Sequence, residues 1–208
     1  MNCAICGIRK PRRHCPGVHG EICTACCGTE REQSVDCPLD CVYLQEAHSH
    51  EIRERIPAER LPSPDIRVTD DFIERHMDLA DIMGAIIYDA AVSEPDAVDT
   101  DVQEALDALT RTWRTLESGL YYETRPANLI AARILSRVQE AIADMREELA
   151  SRGVPAIPNA TLLGVLVFFH RLSVQYDNHR RYGRSFIGSF GEATEPPETG
   201  PSPLILPA

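Results

Sequence analysis

The sequence predicts a mainly α protein: a small cysteine-rich N-terminal module followed by an antiparallel bundle of about four helices. All eight cysteines of the 208-residue chain fall within residues 3–41. Later segments carry apolar residues at the spacing of helices that bury one face. We therefore expect the module with a trailing helix in residues 1–56, a proline-rich linker in 57–68, the bundle in 69–187 and a disordered tail in 188–208.

The composition predicts a cytoplasmic protein without a membrane span. Apolar residues make up 43% of the chain and charged residues 25%, which is enough material for a core. The first residues lack the apolar run of a signal peptide, and no apolar stretch is long enough to cross a bilayer. Thiols stay reduced in the cytoplasm unless a metal holds them, so the cysteine cluster favours a metal site over disulfides.

The cysteines are spaced as pairs that suit a tetrahedral metal ion. CAICG at residues 3–7 and CTACCG at 23–28 each place two cysteines three positions apart, so that a tight turn aims both sulfur atoms at one point. CPLDC at 37–41 places two cysteines four positions apart, and Pro38 is expected to open a helix that carries both on one face. Eight thiolates predict two Zn²⁺ ions per chain, with an iron–sulfur cluster as the rival interpretation.

The chain order favours a cross-braced arrangement of the two sites. Adjacent Cys26 and Cys27 point in different directions and therefore suit two ions better than one. His14 and His19 are possible substitute ligands, and His19 is the alternative to Cys27 at the second site. The predicted first site is Cys3, Cys6, Cys23 and Cys26, and the predicted second site is Cys15, Cys27, Cys37 and Cys41. Four thiolates leave no open coordination position, so both sites are expected to be structural.

Residues 1–41 resemble the cross-braced, treble-clef-type zinc fingers of the FYVE, HIT and MYND kind. CAICG followed by RKPRRHCPGVHGEICTAC is similar to them in ligand spacing. Cys15, Cys23 and Cys26 match the FYVE spacing, whereas Val18 stands where that family has a cysteine, which Cys27 or His19 would have to replace. The FYVE WxxD motif is absent. The resemblance implies a small zinc module and does not extend to the helical remainder.

One short basic run could bind an anion. In FYVE domains an arginine- and histidine-rich run next to the third cysteine binds a phosphoinositide head group, and RKPRRHC resembles it. Its basic side chains are Arg9, Lys10, Arg12 and Arg13. Arginines beside a rigid metal loop can hold a phosphate group through two hydrogen bonds each. The alternative is a solvated run that balances the charge of the thiolates.

Four helical segments are expected after the linker. Thr69 suits the N-cap of a helix over 70–92, and Thr100 begins a capping-box pattern for the next helix. Pro126 suits the first turn of a third helix, which ends near Gly153. The fourth helix is apolar on nearly every side from residue 162 to 169, so we expect it at the centre of the bundle.

Catalytic signatures are missing from the sequence. It contains no GxGxxG, P-loop, HExxH or GxSxG motif. His48 and His50 are expected at the surface.

A ligand pocket could form where the end of the last helix meets an aromatic connection between helices. The alternative is that the residues at this place only cap the bundle. The pocket would be lined by Tyr121, Tyr122, Arg125, Tyr176, His179 and Arg180.

These features favour a zinc-binding adaptor or regulatory protein that acts through a protein partner. One alternative is binding of an anion, a phosphate group or a nucleic acid through the basic run. A net charge of −11 disfavours a general nucleic-acid binder, which needs a basic surface. A weaker alternative is an enzyme or a ligand pocket in the bundle. The sequence leaves the partner and the oligomeric state open.

Overall fold

The computed structural model describes residues 2–53, 55–120 and 122–192, and these are mainly helical, as predicted. The described residues form one antiparallel hairpin and eight α-helices, with two short 3-10 helices at Pro16–Val18 and Ala58–Arg60. None of these helices is both long and apolar enough to cross a membrane. The elements are β1 (Arg13–Cys15), β2 (Gly20–Ile22), α1 (Thr24–Glu30), α2 (Val42–Ser49), α3 (Asp70–Arg75), α4 (Met77–Val92), α5 (Asp99–Glu117), α6 (Leu129–Ser151), α7 (Asn159–Tyr176) and α8 (Ser185–Glu192).

The helices from α4 onward surround one apolar core. α5 packs against α6 and α7, while α4 contacts α6, α7 and α8. Each of these five helices contributes at least one core side chain that is at most 1% exposed, for example Met83, Leu109, Ile134, Leu166 and Phe186. α7 is buried on nearly every side between residues 162 and 169, as its sequence predicts.

Several helix ends differ from the prediction. The Thr69 cap is confirmed, because its hydroxyl accepts the Phe72 N–H at 3.2 Å. The predicted single helix over 70–92 is two helices, since the backbone leaves the helical conformation at His76. The cap predicted at Thr100 is wrong, because α5 begins earlier and the Asp101 carboxylate accepts the Val98 N–H at 2.9 Å.

The third helix also begins later than its proline suggested. Pro126 lies before α6, whose N-cap is Asn128; the Asn128 side chain accepts the Ile130 N–H at 2.9 Å. The predicted end is confirmed, since α6 stops at Ser151 and Gly153 has a positive φ of 71°. An amide side chain next to the helix therefore sets this start, and proline does not.

The disordered tail predicted from residue 188 begins inside a helix of the structure. Residues 188–192 belong to α8, whose Phe186 and Ile187 are buried. The Asp99 carboxylate accepts the N–H groups of these two residues at 2.8 and 3.0 Å, which satisfies the first turn of α8. Residues 193–208 lie outside the described part of the chain.

The segment between the cysteine module and the bundle is fixed to α7. The helix predicted to reach residue 56 ends at Ser49. Beyond it, the Ile56 N–H donates to the Gln175 side chain at 3.0 Å. The Arg171 guanidinium then donates to the carbonyl oxygens of Pro62, Ser63 and Ile66 at 3.0, 2.7 and 2.7 Å. The linker composition therefore does not produce a loose connection.

A buried carboxylate joins the cysteine-rich part to the helical part. Glu32 follows α1, has a positive φ of 54° and is only 1% exposed. Its carboxylate accepts hydrogen bonds from His48 Nε2 at 3.1 Å, from Asn178 Nδ2 at 2.9 Å and from the Arg184 N–H at 2.7 Å. The Glu32 carbonyl accepts the Tyr182 N–H at 2.7 Å. We call this set of five residues the joint.

The joint contains a buried histidine that the sequence placed at the surface. The same histidine helps to stabilise the charged form of the Glu32 carboxylate. His48 is buried at 7% exposure, so its expected surface position is wrong. Burial alone would raise the pKa of Glu32, but the hydrogen bond and charge of His48 and the bonds from Arg184 and Asn178 lower it overall. Next to the joint, Arg184 forms an ion pair with Asp36 and donates to the Cys37 carbonyl at 3.0 Å.

Removing the joint carboxylate should destabilise the whole chain. In Glu32→Ala the donors on His48, Asn178 and Arg184 lose their shared acceptor inside the protein. We expect the free energy of unfolding to fall by about 3–5 kcal/mol, as for other buried charge pairs that lose one partner. Glu32→Gln keeps one acceptor oxygen and should lose less. Urea denaturation measures both variants.

The matched control is Glu46→Ala, which removes an exposed carboxylate from α2. We expect this change to stay within about 0.5 kcal/mol of the wild type. Equal stability of Glu32→Ala and Glu46→Ala would contradict the role of the joint.

Candidate metal centre

Four of the cysteines converge where the N-terminal turn meets the start of α1. The sulfur atoms of Cys3, Cys6, Cys23 and Cys26 all lie within 4.8 Å of one another. Three of the four side chains are buried and Cys6 is partly buried. These are the residues of the predicted first site. The structure therefore brings together the ligand set that the two CxxC spacings indicated.

Backbone geometry holds this cluster in place. The turn over the first CxxC closes when the Gly7 N–H donates to the Cys3 carbonyl at 2.8 Å, and Gly7 has the positive φ of 66° that this turn requires. Cys23 is the N-cap of α1, and its sulfur accepts the Cys26 N–H at 3.4 Å. The Cys3 sulfur accepts the Cys23 N–H at 3.2 Å. A helix N-terminus and a tight turn thus direct N–H groups at sulfur.

The donor set fits a single zinc ion. Zinc–sulfur bonds of about 2.3 Å in a tetrahedron place sulfur atoms about 3.8 Å apart. Sulfur separations of up to 4.8 Å therefore need adjustments of about 1 Å or less. Four thiolates would supply a closed coordination shell, with no position left for a substrate.

The sulfur atoms differ in how readily they ionise. Burial alone would raise the pKa of Cys3, but hydrogen bonds from the backbone of Cys6, Cys23 and Ile5 lower it to about 6. Burial and the hydrogen bonds with its neighbouring sulfurs raise the pKa of Cys26 to about 12. Four thiolates this close repel one another unless a cation lies between them, so metal binding here displaces protons.

The other four cysteines line one small cavity. Cys15, Cys27, Cys37 and Cys41 all line one cavity of about 20 Å³, which is roughly the space that one water molecule needs. Within the described part of the chain, only the first group meets the 4.8 Å spacing of its sulfur atoms. Burial raises the pKa of Cys37 to about 11.

Two details of structure distinguish the second group of cysteines from the first. The Cys27 sulfur lies 3.3 Å from Arg13 Nη1 and 3.9 Å from Arg31 Nη2, so two guanidinium groups attract it. The helix predicted for residues 37–41 is wrong, since Cys41 has an extended backbone and is the N-cap of α2. Cys37 and Cys41 therefore reach the cavity from a turn.

His19, the alternative ligand, faces elsewhere. It lines a separate cavity of about 520 Å³ together with Asp36 and Arg184. His14 is the histidine that lines the cysteine cavity, and its ring lies 3.3 Å from the Glu21 carboxylate at the surface. Cys27 and His14 therefore line the cysteine cavity, and His19 does not.

Two side chains of the basic run interact with cysteine sulfurs, and the other two are exposed without such a contact. A hydrogen bond with the Cys23 sulfur and the charges of Cys6 and Cys26 raise the pKa of Arg9. Arg13 donates to Cys27 and lies over the Tyr43 ring at 4.2 Å. Lys10 and Arg12 are exposed. Half of the run therefore faces the cysteines, which matches the charge-balancing alternative.

The predicted pocket is only partly assembled. Tyr176, His179 and Arg180 line a cleft of about 590 Å³, but neither Tyr122 nor Arg125 is among its described lining residues. The Tyr122 carbonyl instead accepts the Thr115 hydroxyl at the end of α5. Tyr121 lies outside the described residues.

Three arginines that the sequence did not single out complete this cleft. The segment after α2 contributes Arg53, Arg55 and Arg60, which face the end of α7. The sequence contained no local signal for this contact, because residues 51–56 read as part of a helix. We call this space, with its four arginines including Arg180, the arginine cleft.

Comparisons with known proteins identify no relative. No family model matches the chain, and neither the curated proteins nor the solved structures contain a match.

Metal removal should loosen the N-terminal part first. Treating the full chain with a strong zinc chelator should speed amide hydrogen exchange at Ala4, Cys23 and Cys26 by at least about tenfold, because their hydrogen bonds depend on the cysteine cluster. The core amides of α5 and α7 serve as the internal control and should stay protected. Equal acceleration in both regions would contradict a local role for the metal, and no acceleration would contradict a metal at this site.

Proposed function

We propose that residues 2–41 form a structural two-zinc module and that the chain acts as a non-enzymatic adaptor or regulatory protein. The observation that carries this proposal is the convergence of four cysteine sulfurs within 4.8 Å at the first site. A closed four-thiolate site stabilises a fold and leaves no coordination position for catalysis. The binding energy of the metal replaces the core that so short a segment lacks.

Zinc is favoured over an iron–sulfur cluster by the spacing of the ligands. A cluster with several irons needs its cysteine sulfurs further apart than a single ion does. The separations at the first site already approach those of one tetrahedral ion. Zinc also suits thiolate ligands without any requirement for redox chemistry.

The second zinc is supported by the small cavity among the remaining cysteines. Cys15, Cys27, Cys37 and Cys41 line a space large enough for one ion. Four thiolates around Zn²⁺ leave a net negative charge. Arg13 and Arg31, which lie beside the Cys27 sulfur, supply positive charge at this position.

Native mass spectrometry of the full chain tests the metal proposal. We expect two zinc ions in the wild type, one in Cys6→Ser and one in Cys41→Ser, because each variant breaks a different site. Asp40→Asn removes an exposed carboxylate beside Cys41 and, as the control, should keep both ions. Mass from iron and sulfide would overturn the zinc assignment. One ion in the wild type that Cys41→Ser retains would overturn the second site.

An adaptor role is supported by two exposed apolar side chains, one in the module and one directly after it. Ile8 is 82% exposed directly after the first CxxC, and Val42 is 65% exposed at the start of α2. A partner that covers such side chains removes apolar surface from water, which favours association. The phosphate alternative through the basic run has less support, since only Lys10 and Arg12 are exposed there without a sulfur contact.

Copurification from the native host tests the adaptor role. We expect the full chain to retain a stoichiometric partner that the double variant Ile8→Ser and Val42→Ser loses, because the apolar contact is removed. Ile52→Ser is the matched control, since Ile52 is 98% exposed but lies in the segment after α2. If both variants retain the same partner, the module surface is not the docking site.

A further inference from the structure

We propose that the arginine cleft binds a small organic molecule through a phosphate group. The cleft lies between the segment after α2 and the C-terminal end of α7. Its volume of about 590 Å³ falls within the range of about 300–1,000 Å³ that is typical of small-molecule sites. This inference does not depend on the metal proposal, because none of the lining residues is a cysteine.

Positive charge is concentrated in this cleft although the chain as a whole is acidic. Among the residues that the structure describes, four arginines line it, against the two carboxylates of Glu51 and Asp177. Both carboxylates already accept hydrogen bonds within the protein. Glu51 Oε2 accepts the Ser185 hydroxyl at 2.7 Å, and the Asp177 oxygens accept the His179 N–H and lie 3.0 Å from His179 Nδ1. The excess of two positive charges matches a phosphate dianion.

The arginines retain donors for such a ligand. The guanidinium groups of Arg55 and Arg60 make no hydrogen bond or ion pair with any residue that the structure describes. Arg53 is largely engaged within the protein, since it lies over the Tyr176 ring at 4.0 Å, donates to Ser185 through Nη2 and has that nitrogen 3.8 Å from Glu51 Oε2. A guanidinium is the group that binds phosphate oxygens in pairs.

The shape of the cleft indicates an organic phosphate rather than the free ion. Its volume is much larger than one phosphate group. Ile56, Pro57 and Val174 form an apolar part of the lining, against which carbon atoms of a ligand can pack. Stacking of an aromatic ligand on Tyr176 is not favoured, because Arg53 covers one face of that ring and the edge contact with Phe186 occupies another side.

Calorimetric titration of the zinc-loaded full chain tests this inference with three probes: glycerol phosphate, inorganic phosphate and glycerol. We expect glycerol phosphate to bind more tightly than inorganic phosphate, and glycerol not to bind. The double variant Arg55→Ala and Arg60→Ala should weaken binding at least about 100-fold, since each lost charge-assisted contact accounts for about tenfold or more. The single variant Arg60→Ala should weaken it about tenfold.

The matched control is the double variant Lys10→Ala and Arg12→Ala, which removes the same charge from the basic run. It should bind glycerol phosphate like the wild type. The cleft variants should keep the wild-type zinc content, which separates a failure of this proposal from a failure of the metal proposal. Absence of binding at millimolar glycerol phosphate, or equal binding by the cleft variants and the wild type, would overturn the site.

Vesicles distinguish a soluble ligand from a lipid head group. The probes are phosphatidylcholine vesicles with and without phosphatidic acid, mixed with the full chain in a sedimentation assay. We expect no arginine-dependent sedimentation, because the proposed ligand is a small soluble molecule. Sedimentation that requires Arg55 and Arg60, without binding of glycerol phosphate, would overturn the assignment to a small molecule.

Discussion

The burial of one carboxylate constrains the whole arrangement of this protein. A charge that is removed from water is tolerated only when donors surround it, and the donors to Glu32 come from α2, from the segment after α7 and from the start of α8. The turn that presents Glu32 is closed by the Gln33, Ser34 and Val35 N–H groups, which all donate to the Glu30 carbonyl at the end of α1. Since α1 begins at the cysteine cluster, the position of Glu32 depends on that cluster.

The same segment after α7 connects the joint to the arginine cleft. Asn178 binds the Glu32 carboxylate and also lines the cleft. Arg180 lines the cleft and donates to the Arg31 carbonyl, one residue before Glu32. A ligand that draws the Arg180 guanidinium into the cleft would compete with that carbonyl. Two residues that line the cleft therefore contact the cysteine module directly, although no cysteine lines the cleft.

Local patterns in the sequence predict the elements that depend on local physics. Two CxxC turns predicted the first cysteine cluster, because each spacing fixes two sulfurs within a single turn. The apolar stretch in α7 and the Thr69 cap were also predicted correctly, because each depends on residues that are close together in the sequence. His48 could not be placed, since its burial depends on Glu32, sixteen residues away. α8 was missed because its first turn is capped by Asp99 from a distant helix.

The arginines show why the density of charge along a sequence is a poor guide to where an anion binds. The run RKPRR is the most basic local segment, yet Arg9 and Arg13 face cysteine sulfurs. Arg55 and Arg60 are separated in sequence and have acidic sequence neighbours, but both line one cleft, and their guanidinium groups have no partner in the described structure. Whether a charge is available to a ligand depends on its partners in three dimensions.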